Sequence, residues 1–236
     1  MVVLGIVFLF VLGLVVGSFL NVVIYRLNNG LSPLRGRSFC PRCKHQLAWR
    51  DNVPLLSFAL FKGKCRYCHS PISWQYPLVE LATGILTIIV FYLNFSVFNL
   101  LLVYALTAIF VSDLLYYTIP DEIVWPMIGL SFLISPNLLP GLGAAGFFLS
   151  LVLLTHSRGM GIGDVKLAGL MGLALGWPKI SVAILLAFLT GATLGVILVL
   201  MGKKKLSSQI PFGPFLTAAA FVSLLWGREL VNLLGY

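Results

Sequence analysis

Apolar stretches of bilayer length recur along almost the whole of this sequence, near residues 2–25, 77–95, 97–117, 122–139, 141–157, 164–177, 180–202 and 210–234. A spanning helix needs roughly 20 mostly apolar residues, because a hydrocarbon layer of about 30 Å must be crossed with every backbone polar group satisfied inside the segment. The pattern predicts an all-α polytopic membrane protein of about eight transmembrane helices. Six or seven is the alternative count, since several windows are short or interrupted. Composition closes off a soluble globule: 59% of the 236 residues are hydrophobic and 10% are charged, too little polar surface to cover a water-facing domain of this size.

Charge orients the chain. No side chain from Met1 to Tyr25 is charged. That stretch lacks the basic start and the small-residue cleavage site of a secretory signal, so residues 1–25 are expected to stay as the first transmembrane helix. Nine of the sixteen Lys and Arg residues then fall between Arg26 and Arg66, against one acid, Asp51. Basic loops remain in the cytoplasm, so residues 26–76 read as a cytoplasmic domain ahead of a transmembrane region at 77–236. Threading eight spans from an outside N-terminus puts Arg158, Lys166 and the Lys203–Lys205 run on that same side. Only Lys179 and Arg228 are left outside, fourteen basic residues against two. The net charge of +9 is met by this asymmetry and by an anionic lipid bilayer, and no nucleic acid is expected as a partner.

The loop at 26–76 holds Pro33, Pro41, Pro54 and Pro71 with Gly30, Gly36 and Gly63, which punctuate short turns rather than long helices. A segment this small cannot rest on an apolar core alone and needs a staple. All four cysteines lie there, as Cys40-Pro-Arg-Cys43 and Cys65-Arg-Tyr-Cys68, with twenty-one residues between the pairs. Two C-x-x-C knuckles at near zinc-ribbon spacing can set four thiolates tetrahedrally around Zn2+. Disulfides or free thiols are the alternatives, and a reducing cytoplasm disfavours disulfides. A closed four-sulfur set leaves no open position for water, so the metal would be structural. His45 and His69 follow the cysteines closely; either could replace a ligand, and solvent exposure or support of the ligands is the preferred reading for both.

Seven acids are present in all. Asp113 lies near the end of the third apolar window and Asp164 opens the sixth, after Gly159-Met160-Gly161-Ile162-Gly163. An ionisable group at membrane depth costs at least ~2.5 kcal/mol at the bilayer centre and by default marks a site. Two carboxylates brought together share a proton: the ionised one activates water while the protonated one polarises a carbonyl, which is aspartyl-protease chemistry. The glycines before Asp164 would let an extended peptide come close to the backbone. The structural alternatives make Asp113 and Asp121 interfacial caps on helix ends, or pair Asp164 only with Lys166. The glycine-rich stretch is no dinucleotide fingerprint, because no strand–helix unit surrounds it.

Five motifs, taken in order, resemble those of the bacterial type IV prepilin peptidases, the GxGD-type membrane aspartyl proteases. They are Gly17-Ser18-Phe19-Leu20-Asn21-Val22-Val23-Ile24-Tyr25-Arg26; the tetracysteine loop with Trp49-x-Asp51-Asn52-x-Pro54-Leu55-Leu56-Ser57 and Tyr76-Pro77-Leu78-Val79-Glu80; Asp113 followed by Pro120-Asp121; Gly161-x-Gly163-Asp164-x-Lys166; and Ile210-Pro211-Phe212-Gly213-Pro214. The resemblance implies that Asp113 and Asp164 are the catalytic pair, with Asp121 a nearby acid outside it. It implies a substrate, the basic leader of a prepilin or pseudopilin cut after Gly, and often methylation of the new N-terminal amine by S-adenosylmethionine. The loop, including Glu80 at its edge, would be the region for that second step. Asn28-Asn29-Gly30 stands where a proline is common, and the loop is compact.

Two other classes fit parts of the sequence. A transporter or assembly scaffold would use Asp113 and Asp164 to relay protons or bind ions. A nucleic-acid-binding ribbon would use the loop aromatics Phe39, Trp49, Phe58, Phe61, Tyr67 and Trp74, but these are scattered and better suited to packing a small domain or sitting at the bilayer interface.

Overall fold

The computed structural model describes residues 2–155, 160–202 and 210–233. Arg158 and Lys203–Lys205, used above to orient the chain, and Gly159 of the glycine stretch fall outside them. Among the described residues the chain is helical, with no strands: α1 (Val2–Asn28), α2 (Leu56–Leu60), α3 (Gln75–Asn94), α4 (Val97–Tyr116), α5 (Asp121–Ile134), α6 (Leu138–Leu154), α7 (Ile162–Leu175), α8 (Lys179–Leu200) and α9 (Gly213–Leu233). It divides into two compact units, Met1–Ala108 and Ile109–Tyr236.

Each apolar window has become a helix, but not always one of bilayer length. Helices α1, α3, α4, α8 and α9 are long and apolar enough to cross a membrane. Helix α6 has 17 residues, and α5 and α7 have 14 each; at ~1.5 Å per residue the last two reach only about 21 Å, short of the hydrocarbon thickness. The window at 122–139 is cut by Ser135-Pro136: the position before a proline is pushed out of the helical region, and α5 ends at Ile134.

In the first unit, α1 packs on α3 through absent side chains. A Cβ on Gly13 would lie 2.5 Å from Thr87 Oγ1, and one on Gly17 would lie 2.8 Å from the Glu80 Cα. Gly13-x-x-x-Gly17 is a small-residue face that lets two helix backbones touch where apolar burial gives no driving force. The hydroxyls of Thr83 and Thr87 donate back to the carbonyls of Val79 and Thr83, both at 2.7 Å, so this seam holds no unsatisfied polar group.

Helix α1 runs three residues past the expected boundary, and that carries Arg26 into the fold. Its guanidinium, with the residue 5% exposed, donates to the carbonyls of Ser32, Pro33, Arg35, Gly36 and Arg37 at 2.6–3.4 Å. Arg26 is thus the hub around which residues 32–37 curl. A second buried ionisable group closes the loop's far side. Glu80 of α3 accepts the Leu55 N–H at 2.8 Å and also interacts with Ser18 of α1. Leu55, at φ 58° and ψ −44°, centres a γ-turn in which the Leu56 N–H reaches the Pro54 carbonyl at 2.6 Å, a rare and strained backbone form.

In the second unit α7 is the hub, with α5, α6, α8 and α9 against it. From Leu167 onward it is apolar on all sides, as a helix surrounded by other helices must be, with Leu167, Ala168, Leu170 and Met171 at most 1% exposed. Close approach of α6 again depends on glycine: a Cβ on Gly172 would meet the Pro140 carbonyl oxygen at 2.5 Å. Phe148 of α6, Phe188 of α8 and Phe212, just ahead of α9, stack with centroids 5.1–6.2 Å apart.

Candidate active site and tetracysteine centre

The two C-x-x-C segments fold into two copies of one knuckle. In the first, the Lys44 N–H reaches the Cys40 carbonyl and the Cys40 N–H the His45 carbonyl, both at 2.9 Å; in the second, His69 and Cys65 repeat this with Cys65 and Ser70 at 2.9 and 2.8 Å. Single antiparallel bridges, Phe39 with Gln46 and Lys64 with Pro71, close each copy. Lys44 and His69 turn the chain with φ of 60° and 56°. Two such knuckles facing each other bring all four sulfurs within 4.8 Å of one another, Cys40 and Cys65 buried, Cys43 and Cys68 exposed.

That arrangement fits a metal. A tetrahedral Zn2+ with bonds of ~2.3 Å requires sulfurs ~3.8 Å apart, and Cys40 Sγ lies 3.9 Å from Cys68 Sγ. The Ser70 hydroxyl, 3.1 Å from Cys68 Sγ, and its backbone amide hold the Cys68 thiol down to about 6, so it is available as thiolate. His45 lies outside this set: its ring stacks on Tyr67 at 3.7 Å. The Tyr67 hydroxyl donates to Asp51 at 3.0 Å, and Asp51 also accepts the Ala48 N–H at 3.0 Å. Asp51 and His45 therefore fix the knuckle from behind.

In the second unit Asp113 and Asp164 are 6% and 8% exposed, and their carboxyls lie within electrostatic reach of each other. Four separate segments make this meeting. Asp113 is near the C-terminal end of α4, which stops as Tyr117 takes φ 57°; the Ser112 and Thr118 hydroxyls, 3.2 Å apart, fold the chain back there. Ile119, in that return, packs where Gly163 has no side chain, since a Cβ there would stand 3.1 Å from the Ile119 Cβ. Asp164 sits in the first turn of α7 and accepts the Gly161 N–H at 3.0 Å. From the fourth segment, the Gly213 N–H faces Asp113, and a Cβ on Gly213 would come within 2.5 Å of Asp113 Oδ2.

Lys166 does not pair with Asp164. Its ammonium donates to both carboxylate oxygens of Asp121 at 2.7 and 2.8 Å and lies 5.9 Å from the Trp125 ring centre. Residues two apart on a helix point to different faces, which is why the Asp164–Lys166 alternative fails. Asp121 opens α5, where a carboxylate is favoured by the helix dipole. The role of Gly213 was harder to see: its motif is plain, but only the fold brings it to Asp113. Gly13-x-x-x-Gly17 was readable and overlooked.

Two family models cover most of the chain: the bacterial peptidase A24 N-terminal domain at residues 11–94 and the type IV leader peptidase family at residues 100–196. Among curated proteins, the prepilin leader peptidase/N-methyltransferase of Aeromonas salmonicida (strain A449) is 37% identical, with 94% of this chain and 91% of that protein covered. The proteins of the same name from Pseudomonas aeruginosa and Legionella pneumophila are 35% and 31% identical, with 94% and 93% of this chain and 90% of each relative covered. No solved structure matches. Matched over nearly all its length and across both units, the chain belongs to the type IV leader peptidase family.

Proposed function

We propose that this chain is a membrane aspartyl endopeptidase that removes the basic leader of type IV prepilins or pseudopilins after Gly, with Asp113 and Asp164 as its catalytic pair. The observation that carries this is the convergence of two buried carboxyls from α4 and α7, each met by one backbone amide and neither joined to a cation within 4.0 Å among the described residues. Two carboxyls drawn together around a substrate share one proton. The ionised one takes a proton from water as the water oxygen attacks the carbonyl carbon of that Gly. The protonated one donates to the carbonyl oxygen, and as the C–N bond breaks the leaving amine takes up the proton that the first acid removed from water.

Gly161 supports approach of an extended substrate. Among the described residues a Cβ there would have nothing closer than 3.9 Å, so no packing among them demands glycine; a strand of substrate lying along the backbone would. The work takes place at the cytoplasmic face of the inner membrane, a reading supported by the basic loop, since loops rich in Lys and Arg stay in the cytoplasm. The product serves a pilus, a type II secretion pseudopilus or a competence filament.

The four cysteines hold a structural Zn2+, closed to water, that stands in for an apolar core in residues 26–76. The relatives' name extends the reading to methylation of the new N-terminal amine, for which S-adenosylmethionine supplies the methyl group. No described residue is assigned to that donor: Glu80, the acid at the loop's edge, is already engaged by Leu55 and Ser18, so we derive no step through it.

The test is cleavage, in detergent, of a peptide with a basic leader ending in Gly, by wild type, Asp113→Asn and Asp164→Asn, with labelled S-adenosylmethionine in the same tubes. Loss of at least ~10²-fold in each variant, with unchanged melting, supports the pair. Full cutting by either variant would remove that residue from the mechanism, and an inert but folded wild type would favour a transporter or scaffold.

A further inference from the structure

Helix α7 starts beside Asp164 and ends at Leu175; α9 starts at Gly213, beside Asp113, and runs to Leu233. At their far ends, roughly 20 Å from the aspartates at ~1.5 Å per residue, a cavity of about 380 Å³ opens, lined by Leu175, Trp177, Lys179, Arg228, Val231 and Asn232 among others. Two cations thus share one cavity, near enough to repel each other. Glu229 attracts Lys179, yet neither cation forms an ion pair within 4.0 Å among the described residues.

The fold holds Lys179 in this place. Its stem lies where Gly227 has no side chain, as a Cβ there would be 3.0 Å from the Lys179 Cγ. Its carbonyl accepts the Ser223 hydroxyl at 2.7 Å, and α9 departs from helical geometry at Trp226, directly before Gly227. Like charges held together at the edge of a low-dielectric region are costly unless an anion lies between them. Arginine and lysine, with the Asn232 amide as a further donor, suit phosphate oxygens. Leu175 and Val231 give the cavity apolar wall, and Trp177, 65% exposed, is the residue type that sits at headgroup level. Helix α8, apolar and 22 residues long, starts at Lys179 itself.

We propose that this cavity binds the phosphate of a net-anionic phospholipid headgroup, on the side of the membrane opposite the aspartates. The full-length protein would be studied by native mass spectrometry from detergent with phosphatidylglycerol or phosphatidylcholine, then again with excess inorganic phosphate. Wild type is expected to retain one phosphatidylglycerol with a preference over phosphatidylcholine of roughly 10-fold or more, from two basic groups at the surface. Lys179→Gln/Arg228→Gln should abolish the preference, and Arg228→Gln alone, at an exposed position, should weaken it without touching the fold. Displacement of the lipid by inorganic phosphate would replace the lipid with a soluble anion as occupant. Equal retention of both lipids, or an unchanged preference in Arg228→Gln and in a double variant that melts like wild type, would overturn the proposal.

Discussion

The tetracysteine loop and the aspartate site both gather ionisable groups at the ends of apolar helices, but they are assembled in opposite ways. The cysteines come from one stretch, residues 40–68, and each knuckle is closed by hydrogen bonds spanning no more than nine residues. The aspartates come from α4 and α7 and depend on Ile119 and Gly213 as well, over a hundred positions of sequence. One site is made by local chain geometry, with four sulfurs placed to fit an ion. The other is made by helix packing and completed by glycines that leave room. Damage to the first should therefore be repaired or lost with the metal, and damage to the second should follow side-chain volume.

The largest effect expected is at the cysteines. Zinc-finger peptides gain on the order of 10 kcal/mol from their ion, far more than a loop of this size can find in burial. Cys65→Ser should drop zinc from one equivalent per chain to none and open residues 26–76 to protease, whereas Asp113→Asn should keep the full equivalent. Zinc measured by elemental analysis on both proteins decides the point. A Cys65→Ser chain that keeps its zinc would show that the centre is not built from these four sulfurs.

Next comes Gly213→Ala, the volume test for the aspartates. The added methyl would contact the Asp113 carboxyl, and a misplacement near 1 Å can cost on the order of 10²-fold. Cleavage should fall by about that factor while zinc content and melting hold. Wild-type cutting by Gly213→Ala would mean that Asp113 relaxes away from Gly213 before reaction, and that the packing described here is not the reactive one.

This contrast also explains what could be read before the fold was known. The cysteine centre was legible because C-x-x-C fixes its own turn and the spacing fixes the pair. The helices were legible from hydropathy, although Ser135-Pro136 was needed to see where α5 stops and 14-residue helices do not show their depth. Burial of Arg26 was not legible, because a basic residue at a span's end looks like any other orientation signal; only the return of residues 32–37 reveals five carbonyls converging on it. Arg26→Met tests that hub. Hydrogen bonds to a charged group contribute ~1.5–3 kcal/mol, so amide exchange at residues 31–37 should speed by about 10-fold or more with zinc content unchanged. Loss of zinc in Arg26→Met would show that the knuckles depend on the rest of the loop after all, and would narrow the difference between the two sites.

The smallest effect belongs to the Asp121–Lys166 pair, and it asks whether α5 helps to hold α7 in register. The contact is bidentate, but Asp121 is 53% exposed and Lys166 26%, and exposed pairs are worth ~0–1 kcal/mol. Asp121→Asn and Lys166→Met should therefore each slow cleavage only a few-fold, and the double variant should be no slower than the worse single, since either change already breaks the bond. The Trp125 ring, which faces Lys166, gives a fluorescence readout of the same contact that does not depend on turnover. A loss near that of Gly213→Ala, additive in the double variant, would instead put Asp121 and Lys166 to work separately, one or both against the substrate, and the aspartate site would then extend beyond the two acids that packing brings together.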